Sequence, residues 1–162
     1  MLIVLAARTE MGGTNSSGNN MRLNYPPPQI SEEFERLCLE LLRTHWKCPS
    51  LQLYARRGEK QFGVDIFDEG GGSPLLAAQC KLHDSWISLS PSEIEGEVGK
   101  ARTFPEVVGV YGILTTAKRS GDAQRLVRKI KKEHKLAGSF SVEYFPWDKI
   151  NELLNQSPEV AE

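Results

Sequence analysis

Asp65, Gln79 and Lys81 are the residues of this chain whose types and spacing carry chemistry. Asp and Lys are depleted in strands. Yet Asp65 falls in an alternating stretch, with Phe62, Val64 and Ile66 on one face and Gly63, Asp65 and Phe67 on the other. Gln79 and Lys81 fall in the next stretch, 75–82, where they share a face with Ala77 while Leu76, Ala78, Cys80 and Leu82 take the opposite one. Residues two apart on a strand project the same way, roughly 6–7 Å apart. The turn Gly70-Gly71-Gly72-Ser73-Pro74 between the stretches predicts a hairpin, which brings Asp65 beside Gln79 and Lys81. A carboxylate, an amide carbonyl and an ammonium on one sheet face suit a Mg²⁺ site for phosphodiester hydrolysis. The hard cation takes oxygen ligands and keeps waters for the nucleophile. Lys81 then stabilises the attacking hydroxide or the charge that develops on the phosphorane.

The elements that must position these groups are legible around them. Ser31 is read as the cap of a helix over 31–46, with Glu32 and Glu33 in its first turn. Phe34, Leu37, Cys38, Leu41 and Leu42 form its apolar stripe. Pro49 ends it, and 51–56 alternates as a first strand. A helix over 92–103 turns Ile94, Val98 and Ala101 inward. The continuous apolar run 107–114 is the pattern of a central strand covered on both faces, with Thr115 and Thr116 at its end. A helix over 120–135 stacks Ala123, Leu126, Val127, Ile130 and His134 on one stripe and turns Arg125, Arg128, Lys129 and Lys132 outward. A strand over 139–145 follows as a right-handed crossover onto a parallel neighbour, and a short helix over 147–154 closes the domain.

At 162 residues the chain is one domain that needs no disulfide or structural metal to hold a core. Its 20 basic and 21 acidic residues leave a net charge of −1, so any nucleic-acid surface is local. Cys38, Cys48 and Cys80 have no paired metal spacing and read as reduced, mostly buried hydrophobes; His45, His83 and His134 are scattered, which argues against a zinc enzyme. The apolar run at 1–7 is too short for a membrane span or a signal core, so a cytoplasmic protein is expected. Residues 1–28 read as a disordered tail, rich in turn formers and followed by Pro26-Pro27-Pro28, with Met21 as an alternative start. The domain is expected over 29–156, with 157–162 a short C-terminal tail.

Gly63-Val64-Asp65-Ile66 followed by Gln79-Cys80-Lys81 resembles the G-x-D … Q-x-K signature of Mrr-type restriction endonucleases in the PD-(D/E)XK superfamily. Phe34-Glu35-x-Leu37 on the first helix is similar to that family's F-E-x-L, and Thr115-Thr116 with the helix carrying Ala123 to its late strand and helix. The likeness covers roughly 31–145. The Asp lies in QFGVDIF and not in the glycine-doubled D-G-G-x-D form frequent in the family. The resemblance implies an α/β fold with a restriction-endonuclease-like α-β-β-β-α-β-α-β core, its mixed central sheet flanked by helices. It implies Asp65 as principal metal ligand, Gln79 as an amide-oxygen ligand or orienter of a ligand water, and the Cys80 backbone carbonyl as a further ligand. Lys81 is then the catalytic lysine and Glu35 an outer or second-metal ligand, with Mg²⁺ or Mn²⁺ as cofactor.

Arg56, Arg57 and Lys60, just before the Asp65 strand, are placed to meet DNA, as are His83 and, at the start of the basic run 118–135, Lys118 and Arg119. A charged run of that kind is also simply a solvated helix face. Asp68 and Glu69 read as solvated turn residues, and Trp46, Trp86 and Trp147 as packing residues. The leading expectation is a metal-dependent DNA endonuclease of bacterial restriction or anti-phage defence. A homodimer would serve double-strand cutting, and a sensor or ATPase protein, or a C-terminal region, would supply activation, since the chain has no P-loop. The alternatives are a catalytically silent nuclease-like module that holds nucleic acid or protein, and a structural domain in which Asp65 and Lys81 form an internal ion pair.

Overall fold

The computed structural model describes residues 22–55, 58–84 and 87–162. Its centre is one sheet in the order β1-β2-β3-β4-β5. β1 (Leu51–Leu53), β2 (Ile66–Asp68) and β3 (Leu75–Lys81) form an antiparallel meander, while β4 (Val108–Thr115) and β5 (Ser141–Phe145) run parallel to β3. Helices α1 (Ser31–His45) and α4 (Trp147–Gln156) pack with the short α5 (Pro158–Ala161) on one face; α2 (Pro91–Ala101) and α3 (Gly121–Ala137) cover the other. This is the α/β mixed sheet flanked by helices, in the α-β-β-β-α-β-α-β order that the sequence implied, followed by the closing helix expected over 147–154 and by the short α5, which was not expected. No described helix is long and apolar enough to cross a membrane.

The alternation of β3 divides the core. Ala78 and Cys80 join α1 in a cluster with Leu37, Cys38, Leu41 and Leu42; Leu75 and Ala77 join Ile94, Val98, Tyr111 and Val127 on the other side. β4 is buried nearly throughout, as its unbroken apolar run requires, though Val107 lies outside it and is 91% exposed. His134 closes the α3 stripe in the core, held between the Phe140 carbonyl at 2.7 Å and Arg102 at 2.9 Å.

Several boundaries differ from expectation. The N-cap of α1 is Ile30 without a side-chain bond, so Ser31 is its first helical residue and not its cap. The stretch around Phe62 is not strand: Phe62 and Gly63 both take positive φ, at 54° and 69°, and β2 starts only at Ile66. Asp68 is buried, not solvated, because its carboxylate accepts from the Ser50 hydroxyl at 2.6 Å and the Gly70 and Gly72 amides at 3.0 Å. Those bonds organise the hairpin turn and, led by Ser50, hold its carboxyl below the ordinary range.

The tails also need correcting. The expected tail over 1–28 includes packed structure from 22 onward, because α4 offers a polar ladder. Asn155 pairs with both the amide and the carbonyl of Leu23 at 2.8 Å, Asn151 accepts from the Tyr25 amide at 2.8 Å, and Trp147 Nε1 donates to the Tyr25 carbonyl at 3.1 Å. Side-chain amides at i and i+4 thus satisfy an extended segment as a neighbouring strand would, and Tyr25 is buried against α1. Residues 1–21 lie outside the described residues. At the other end, Ala161 is buried and Val160 packs on the same cluster, so within the expected tail Pro158–Ala161 is a docked turn of helix.

Asn151→Ala removes the acceptor of the Tyr25 amide and is expected to cost about 1–2 kcal/mol in urea unfolding, whereas Lys149→Ala, exposed on the same helix, is expected to leave the midpoint unchanged.

Candidate active site

Asp65 stands one residue before β2, where the pairing of β2 with β3 runs out. Its backbone is pinned on both sides: its amide donates to the Ala78 carbonyl at 2.8 Å and its carbonyl accepts from the Tyr54 amide at 2.7 Å. Its side chain then does what the missing strand carbonyl would have done, accepting from the Cys80 amide through Oδ2 at 2.9 Å. Asp65 is 6% exposed. Burial raises its pKa, opposed by the Cys80 bond and the Lys81 charge and reinforced by Glu97.

Gln79 and Lys81 lie on the face of β3 that meets α2, as their alternation predicted. Gln79 is 9% exposed; its Nε2 donates to the Cys80 carbonyl at 3.4 Å, and its Oε1 is buried with no hydrogen-bond partner. The Cys80 amide and carbonyl leave the strand on the same edge, the one Asp65 occupies. Lys81 reaches across to α2, where its ammonium lies 2.7 Å from Glu97 Oε1. It is Glu97, not Asp65, that forms the ion pair with Lys81, which corrects the reading of an Asp65–Lys81 pair.

Glu97 is the residue that sequence reasoning missed. It is 4% exposed; Oε1 takes both Lys81 and Lys100 at 2.7 and 3.0 Å, and Oε2 is buried without a partner. Its signal was in the sequence, since Ile94, Glu97, Val98 and Ala101 are one i, i+3, i+4, i+7 stripe with a carboxylate in it. Gly63 is what lets α2 come so near. A Cβ there would sit 2.8 Å from Lys100 Cβ and 3.3 Å from Glu97 Oε2, on a backbone whose φ of +69° already favours glycine. Tyr111 fastens this turn by donating to the Gly63 carbonyl at 2.5 Å, and burial, with the charges of Glu97 and Asp65, pushes its phenol up.

The other expected residues fall in different places. Glu35 is half-buried on α1, one turn before Cys38, on the helix that covers the sheet face opposite to Gln79 and Lys81; its charge helps raise the pKa of the Cys80 thiol, whose main causes are burial and the bond to Cys38. All three cysteines are free thiols. His83 is held by Glu93 at 2.9 Å, and its backbone amide and carbonyl both engage the Thr116 hydroxyl at 2.6 Å. Lys60 lies over the Phe62 ring. Lys118 and Arg119 sit past the end of β4 and line a groove of about 1080 Å³ with Arg22, Tyr25, Trp147 and Asn151. Arg56, Arg57 and Trp86 lie outside the described residues.

Among the described residues no three His, Cys, Asp or Glu side chains form a metal-holding group. The donors that do converge are oxygens of mixed type: the Asp65 carboxylate, Gln79 Oε1 and the Cys80 carbonyl, beside the Lys81 ammonium. One of these oxygens is buried and orphaned. That set fits a hard divalent cation, which takes carboxylate, amide and backbone oxygens alike.

No protein-family model matches the chain, and no curated protein matches it. Among solved structures, the chain is similar to the MspJI restriction endonuclease in complex with a 27-mer oligonucleotide, at 17% identity and a TM-score of 0.49. The likeness covers 75% of this chain and 27% of that one, so the chain spans about a quarter of that protein's length.

Glu93 is drawn down to about 2 from 4.5, first by the bond from His83 and then by Ser90. A carboxyl depressed on folding stabilises above its unfolded pKa and loses that contribution as pH falls. Unfolding free energy is therefore expected to drop between pH 4.5 and about 2, and Glu93→Gln to flatten the profile in that window when urea unfolding is followed at a series of pH values.

Proposed function

We propose that this chain is a divalent-metal-dependent DNA endonuclease that hydrolyses phosphodiester bonds with an activated water and no covalent intermediate. One observation carries the reading: Asp65, Gln79, Cys80 and Lys81 converge where the β2–β3 ladder ends, with an orphaned buried oxygen on Gln79 and a paired ammonium on Lys81. The choice of DNA as substrate, and of a restriction or defence role, comes from the resemblance that these same residues carry.

Asp65, Gln79 Oε1 and the Cys80 carbonyl would hold the Mg²⁺ or Mn²⁺, which when bound polarises the phosphate and lowers the pKa of a coordinated water. The chain's own residues do the rest. Asp65 is fixed by the Cys80 amide and by its own backbone bonds, so its outward oxygen needs no reorganisation. The Lys81 side chain is about one-third exposed and anchored by Glu97, which holds its ammonium at the carboxyl end of β3. There it opposes the charge that grows on the phosphate oxygens as the bond to the leaving oxygen breaks. Lys118 and Arg119, beyond the parallel neighbour strand, offer cations for phosphates further along a duplex. A second copy of the chain for double-strand cutting, and a sensor or ATPase partner for activation, complete this reading.

Supercoiled plasmid incubated with the protein is expected to be nicked or linearised with Mg²⁺ or Mn²⁺ and untouched with EDTA, and Lys81→Ala to slow this at least ~100-fold; undiminished cleavage by that variant would sink the assignment. Asp65→Asn keeps an oxygen for the Cys80 amide while removing a buried charge. It is expected to abolish cleavage and yet raise the melting temperature by about 2–4 °C, the size of a ~1 kcal/mol gain.

A further inference from the structure

We infer that Glu97 is a ligand of the divalent cation, supplying from α2 the second carboxylate that Gln79 does not provide on β3. This deepens the proposed nuclease reading and rests on it. With Gln79 neutral, Asp65 is the single carboxylate among the oxygens contributed by the strands. A divalent cation is held by one or two carboxylates. Glu97 supplies the second from α2, through the oxygen that its two lysine partners leave free.

Three features of the structure point to the same place. Glu97 Oε2 is a buried carboxylate oxygen with no hydrogen-bond partner, although Oε1 of the same group takes two ammoniums. Such an oxygen is costly to bury unless something meets it. Gln79 Oε1, on the strand face that α2 covers, is orphaned in the same way. The space beside Oε2 is one that the Cβ of any other residue at position 63 would enter, at 3.3 Å, and the residue there is glycine, two before Asp65. Glu97 is also near enough to Asp65 for its charge to act on that carboxyl. A cation between them would satisfy both orphaned oxygens and remove that repulsion.

Titration calorimetry of the full chain with Mn²⁺ alone tests this without any cleavage assay, using Glu97→Gln, Asp65→Asn and, as control, Glu95→Gln on the exposed face of the same helix. The expected result is binding by the wild type and by Glu95→Gln, with at least a tenfold loss in Glu97→Gln and in Asp65→Asn. Wild-type affinity in Glu97→Gln, with loss only in Asp65→Asn, overturns the assignment of Glu97 and leaves the nuclease site standing. Absence of binding by the wild type, or full binding by Asp65→Asn, overturns both. Should Glu97→Gln not fold, oxidative cleavage of the wild-type backbone by Fe²⁺ with ascorbate and peroxide gives the same answer. Cuts near Asp65, near Gln79 and near Glu97 support the assignment; cuts at the first two alone overturn it.

Discussion

The burial of one carboxylate, Glu97, is the constraint on which the rest of this structure turns. A charge at 4% exposure on the inner stripe of a helix is tolerable only if opposite charge reaches it. Lys81 supplies that from the sheet and Lys100 from the helix itself. The pairing sets how α2 sits on β3. Glu93 and Glu97 are one turn apart, about 6 Å along a helix; His83 and Lys81 are two residues apart, about 6.7 Å along an extended chain. The two spacings nearly coincide, and the ion pairs close at 2.9 and 2.7 Å. The helix therefore docks with its axis close to the strand direction and its first turns at the strand's carboxyl end, where the Ser90 and Glu93 capping box has already fixed its start.

The sheet makes a complementary sacrifice at the same spot. β2 could pair further with β3, but the left-handed turn at Phe62 and Gly63 ends the strand and frees the Asp65 side chain to take the Cys80 amide. A backbone bond is exchanged for a charged side-chain bond, and the carboxyl is held where burial opposes its ionisation. Local rules of strand propensity and charge burial are broken together here, and again at Asp68, where Ser50 and two turn amides answer the charge. Such coincident violations are what a site demands of a fold that is otherwise consistent.

Much of this was legible in the sequence because period and punctuation agree. The α1 and α3 stripes, the glycine-rich hairpin turn, the unbroken run of β4 and the crossover to β5 all follow from patterns contained within one or two neighbouring segments. The alternation of β3 correctly placed Gln79 and Lys81 on one face. What was not legible depended on contacts between distant segments. Phe62, Val64 and Ile66 alternate like a strand, but the docking of Gly63 under α2 overrides that period. Residues 22–28 contain three consecutive prolines and look unable to pack, yet Asn151 and Asn155, more than a hundred residues later, supply their hydrogen bonds. Asp68 reads as a turn residue, and only the partnership with Ser50 on β1 buries it. Glu97 hid within a stripe whose apolar members satisfied the pattern without it.

The position of the constellation follows from the mixed topology. In open α/β sheets the crevice beyond the carboxyl ends of parallel strands is where ligands are met, because loops and helix starts gather there. β3 and β4 end together, Lys81 facing Thr115, and the chain after each returns through a helix whose start lies at that end. Antiparallel β2 begins at this same end, so Asp65 enters where Lys81 leaves. A purely parallel sheet would have carried the residue before β2 to the opposite edge. A purely antiparallel one would have put a hairpin over the end of β3 in place of the helix that brings Glu97. It is the change of direction between β2 and β4, on either side of one strand, that allows a strand carboxylate, a strand ammonium and a helix carboxylate to meet at a single open edge.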